Sequence, residues 1–155
     1  MTRRTIAYIF LAALALSAGD TVARPDRKLT PGATDAAVTQ ATIQSTVCVV
    51  GYAMRARDVS ESTKLAVFRE YKIDPTLARA YEVDHLISLE NGGSNDIRNL
   101  WPQPYAPKPG AREKDVLETF LKRQVCAGKM TLAIDQKELR ADWYAAYRKY
   151  GLDKK

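Results

Sequence analysis

The segment from Val83 to Pro109 leaves this chain few ways to fold. It opens on an apolar run, Val83 to Leu89, breaks at Gly92-Gly93 and resumes at Asn99-Leu100-Trp101. It then meets Pro102, Pro104, Pro107 and Pro109. A short apolar run bounded by turn residues reads as a strand. Gly92 and Gly93, with Ser94, Asn95 and Asp96, supply the chemistry of a turn. Asn99 to Trp101 then forms a brief second strand, and the prolines bar any regular element across 102–109. Pro109 suits the start of a helix predicted from about Gly110 to Gln124, with Gly128 just past its end. Its apolar stripe is Val116, Leu117, Phe120, Leu121 and Val125. The order strand, turn, strand, helix predicts a small α+β domain.

The flanks fit around that unit. Thr46-Val47-Cys48-Val49-Val50 is β-branched and ends at Gly51, which predicts a short strand. Ser60 or Ser62 can cap a helix carrying Leu65, Val67 and Phe68, and Asp74-Pro75 ends it. A helical turn around Thr76 to Arg79 follows. A last helix runs from about Leu132 to Tyr150, capped by Thr131 and stopped at Gly151, with Leu139, Trp143 and Tyr147 as its docking face. With 155 residues the chain is sized for one domain.

The beginning reads differently. Arg3 and Arg4 precede an apolar stretch, Ile6 to Ala18, that is too short to span a bilayer comfortably. Small residues follow, as in a secretory signal peptide, with cleavage after Ser17 or after Ala23. Residues 1–23 are therefore expected to be a signal peptide, 24–40 a flexible lead-in and 41–155 the domain. No membrane attachment is expected after cleavage, and the location is periplasmic or secreted. In an oxidising compartment the two cysteines, Cys48 and Cys126, most simply form one disulfide. The net charge is +6, and removing residues 1–23 takes away Arg3, Arg4 and Asp20 and leaves +5. A basic exported domain suits a polyanionic partner.

His85 is the one histidine, and it follows Asp84 on the first strand. A carboxylate beside an imidazole is a workable metal-plus-base pair, because adjacent strand residues can address different sides of one phosphate. Asp84-His85-Leu86-Ile87-Ser88-Leu89, Gly92-Gly93-Ser94-Asn95-Asp96 and Asn99-Leu100 resemble the HNH motif of ββα-metal endonucleases. Val83 to Ile87 with Asn99-Leu100-Trp101-Pro102-Gln103 is similar to a group of small exported bacterial HNH-like proteins. The resemblance implies a ββα-metal core and a metal-dependent nuclease acting on DNA or RNA. It makes His85 the general base, Asp84 a metal ligand and Asn99 the brace of the loop that orients His85.

The HNH pattern normally ends with His or Asn on the helix as a further ligand, and this chain has neither there. Glu113, about 40° from Leu117 on the helical wheel, is the expected substitute. Asp115 is the second candidate because Lys114-Asp115 matches the exported group, although the wheel turns it towards solvent. Carboxylates and water favour Mg²⁺, or Mn²⁺, as the ion. Arg112 and Lys114 are candidates to hold substrate phosphates. The competing expectation is a non-catalytic, basic exported protein that binds nucleic acid or another polyanion on a degenerate HNH scaffold.

Overall fold

The computed structural model describes residues 22–154. The expected signal peptide lies outside the described residues, apart from Val22 and Ala23. The molecule is a mixed helix and strand domain, as the element pattern predicted. Its chain order is α1 (Tyr52–Ala56), α2 (Glu61–Glu70), β1 (Tyr81–His85), β2 (Leu100–Pro104), α3 (Ala111–Cys126) and α4 (Leu132–Lys149). Short 3-10 turns lie before, between and after them. No helix among the described residues is long and apolar enough to cross a membrane.

The two strands pair antiparallel, with Asp84 opposite Trp101 and His85 opposite Leu100. Opposed residues share a face of the sheet. One face, with Val83 and Leu100, packs on Val67 and Phe68 of α2. The other carries Trp101 onto Leu117 and Leu121 of α3 and Leu139 and Trp143 of α4. β2 runs through Pro102 and Pro104, where no regular element was expected. It is an edge strand, and such a strand tolerates the missing N–H groups.

Ser60 caps α2 and Thr131 caps α4 by accepting from backbone N–H groups, as the sequence predicted. α4 is not continuous. It breaks at Asp142, whose carboxylate accepts from the N–H groups of Tyr144 and Ala145 and so caps the second segment. Residues 46–50 form turns rather than a strand. Val47 packs in a core cluster with Ile43 and Val125 instead, beside a disulfide that joins Cys48 to Cys126. The bond ties this segment to the end of α3.

The expected lead-in is docked on the domain. Thr30 is fully buried and donates to the Leu100 carbonyl, and Val38 enters a core cluster. Residues 32–35 grip the loop after β1: Gly32 N–H bonds Arg98, Asp35 N–H bonds Gly92, and Ser94 N–H bonds Ala33. This segment therefore helps shape the loop that follows His85.

Candidate functional site

The loop from Leu86 to Asn99 is built around one amide. Asn99 is fully buried. Its Oδ1 accepts from Ile87 N–H at 3.0 Å, and its Nδ2 donates to the Ile87 carbonyl at 2.9 Å and the Ser94 carbonyl at 2.8 Å. Gly93 is required at the crossing, because a Cβ there would stand 1.7 Å from the Ile87 carbonyl oxygen. The brace expected of Asn99 is present as geometry, acting on the loop rather than on the imidazole.

His85 is oriented by a different residue. Its Nε2 lies 3.1 Å from Asn95 Oδ1. Asn95 Nδ2 donates to the Ala56 carbonyl at 2.7 Å, and Oδ1 also accepts from Asp58 N–H. Those two bonds fix which end of the amide faces the ring. Nε2 is therefore the donor, and Nδ1 is left as the basic nitrogen. Burial pushes the imidazole down to about 4, against the opposing pull of Asp84 and the Asn95 bond. Arg57 and Lys114 add to the depression. At neutral pH the ring is an uncharged base.

Around His85 opens a cleft of about 230 Å³, walled by Arg57, Glu82, Asp84, Asp115 and Glu118 with Met54 of α1. Arg57 is exposed, follows α1 and donates to the Val83 carbonyl at 3.1 Å. It also lines a neighbouring cavity of about 310 Å³ with Lys64, Tyr81 and Tyr105. Burial and then the Asp84 charge raise the carboxyl of Glu82. Asp115 is exposed as a residue yet lines the cleft. The protein packed around its carboxyl, followed by Asp84 and Glu82, pushes it up to about 6.

Lys114 overturns its expected role. It is fully buried, so it is no surface phosphate holder. Its ammonium donates to Asp84 Oδ2 at 2.7 Å, to the His85 carbonyl at 2.6 Å and to Glu118 Oε1. Burial opposes its charge, but Asp84 and Glu118 outweigh that and hold its pKa above the ordinary lysine value. Burial likewise raises Glu118, with Lys114 pulling it back.

The other helix candidates separate. Glu113 is not in the cluster, because its carboxylate accepts from Gly110 N–H at 2.8 Å and pairs with Lys108 at the start of α3. Arg112 is exposed and lies over the Tyr105 ring, 5.8 Å from its centroid. Asp115, which the wheel turned to solvent, reaches the cleft wall. The helix is rotated relative to the expected stripe: Lys114, Leu117, Glu118, Leu121 and Val125 are buried, and Val116 is half exposed.

The chain matches no protein-family model, no curated protein and no solved structure.

The residues present do not fit a divalent ion as they stand. Among the described residues no three His, Cys, Asp or Glu side chains are grouped to hold one. The inward oxygens of Asp84 and Glu118 are already on Lys114. Sequence reasoning missed Arg57, the Asn95 contact and the inward face of Glu118. Only the last left a signal, since Lys114 and Glu118 share helical spacing with Leu117 and Leu121.

Proposed function

We propose that this protein is an exported phosphodiesterase that carries an HNH-like motif without its divalent ion and cuts DNA or RNA without marked sequence preference. The observation that carries the reading is the placement of His85, with its Nε2 on Asn95, in a cleft that also holds the exposed cation Arg57. In this reading Arg57 binds a phosphate oxygen and stabilises the charge that grows on it during attack. His85 Nδ1 takes a proton from water, and the hydroxide attacks phosphorus. The P–O bond to the leaving sugar oxygen breaks, and that oxygen is protonated from solvent. His85 then returns its proton to solvent. No metal-dependent step is assigned, because Asp84 and Glu118 are engaged by Lys114.

The overall positive charge supports attraction of a polyanion to the surface. The disulfide supports an oxidising location, periplasmic or secreted.

One observation favours a second reading. His85 is only 2 % exposed, which suits a structural imidazole in a basic protein that binds nucleic acid without cutting it. Purified disulfide-intact protein incubated with plasmid DNA and with RNA separates the two. Cutting that is lost in His85→Ala supports the hydrolase. Salt-sensitive gel retardation without cutting supports the binder and overturns the hydrolase.

A further inference from the structure

The charge balance at the root of the cleft is unusual. A lysine with no exposed surface sits where three oxygens converge: Asp84 from β1, Glu118 from one turn further along α3, and the His85 main-chain carbonyl. Each of its three N–H donors has an acceptor, so the ammonium is fully coordinated. The ring of oxygens is drawn from a strand and a helix, as a metal centre between those elements would be. The ligands are hard oxygens of the kind that hold Mg²⁺ or Mn²⁺.

We propose that the Lys114 ammonium is the resident cation of this centre, held by Asp84, Glu118 and the His85 carbonyl in place of a divalent ion. The arrangement joins the elements of the site. By binding the His85 carbonyl, Lys114 fixes the main chain of the residue whose ring faces Asn95. By binding Asp84 and Glu118, it docks α3 against β1 through charge-assisted bonds. A divalent ion reaching for Asp84 Oδ2 would meet a like charge in hydrogen-bond contact with the same oxygen. Lys114 has no exposed surface, and all three of its bonds would have to break for it to leave.

The proposal does not depend on the phosphodiesterase reading, and its test avoids cleavage altogether. Mn²⁺ is added to the disulfide-intact protein. Uptake is counted by electron paramagnetic resonance, while paramagnetic broadening is followed at the ring signals of His85. Because the chain has one histidine, those signals are unambiguous. Wild type is expected to show no broadening that Asp84→Asn removes. Lys114→Ala, with its fold checked by near-ultraviolet circular dichroism, is expected to take up one Mn²⁺ per chain and to lose it when Asp84→Asn is added. Binding to wild type that survives Asp84→Asn lies outside the centre and leaves Lys114 as its cation.

One Mn²⁺ bound by wild type and lost in Asp84→Asn overturns the proposal. So does a folded Lys114→Ala that takes up none. Should Lys114→Ala fail to fold, wild type decides by itself. A slowly exchanging Lys114 ammonium signal in ¹⁵N spectra, unchanged by Mn²⁺, supports the assignment, and its loss on adding Mn²⁺ overturns it.

Discussion

Asn95 Oδ1 sits 3.1 Å from His85 Nε2, and the far side of the same amide is anchored 2.7 Å from the Ala56 carbonyl. The C-terminal end of α1 thereby sets the tautomer of a ring carried on β1. Asn95→Ala removes that orientation without touching the basic nitrogen. In the hydrolase reading, kcat falls by about 10- to 100-fold with KM little changed. Steady-state kinetics on an oligonucleotide checks the split. A purely structural role would instead lower the melting temperature and leave the turnover of the folded fraction intact.

Arg57 is the exposed cation of the cleft. Its replacement should act on substrate binding. Arg57→Ala is expected to raise KM about 10-fold and to reduce the salt dependence of nucleic-acid affinity by about one phosphate contact. Binding measured over a range of salt concentrations reads that slope. An unchanged slope would remove Arg57 from the substrate path.

Asn99 holds three main-chain bonds that tie the two ends of the loop from Ile87 to Ser94 together. Asn99→Ala leaves the Ile87 N–H and carbonyl and the Ser94 carbonyl without that partner. The expected loss is about 3 kcal/mol of stability. Urea unfolding measures it, and a loss below about 1 kcal/mol would show that the loop is held by residues 32–35 instead.

Asp135 gives the stability of the fold a pH dependence away from the cleft. It is fully buried, accepts one bond from Asn91 Nδ2 at 2.7 Å, and its other oxygen has no hydrogen-bond partner among the described residues. Burial pushes it up to about 7, with Asn91 opposing and Glu90 adding to the rise. A carboxyl raised on folding contributes stability at low pH and loses it as pH rises through the folded value. From pH 5 to pH 8 the protein should lose roughly 3 kcal/mol on this account. Asp135→Asn should flatten the slope. Urea midpoints across that range test it, and a wild type that gains stability relative to Asp135→Asn as pH rises would contradict it.

Much of this molecule is written in local sequence. The hairpin follows from the apolar run before Gly92-Gly93 and from Asn99-Leu100-Trp101 after it. The caps of α2 and α4 follow from Ser60 and Thr131, and the disulfide from an isolated cysteine pair. His85 stood out because it is the one imidazole, beside one carboxylate. The rest needed three dimensions. The rotation of α3 depends on Lys114 meeting Asp84, thirty residues earlier in the chain, and ordinary patterning places lysine outside. The Asn95 contact depends on α1, a helix of five residues with no apolar periodicity. Val47 looked like a strand residue, but no third strand was there to pair with it. The lead-in looked mobile because its anchors are backbone bonds and single side chains such as Thr30 and Val38.

Hydrolysis at this cleft requires one imidazole in one state, and ¹⁵N spectra of the single histidine at pH 7 report it directly. The expected result is a neutral ring with the proton on Nε2 and a bare Nδ1, unchanged down to about pH 5. A charged ring at neutral pH, or a neutral ring protonated on Nδ1, would contradict it and leave His85 without the lone pair that the proposed chemistry requires.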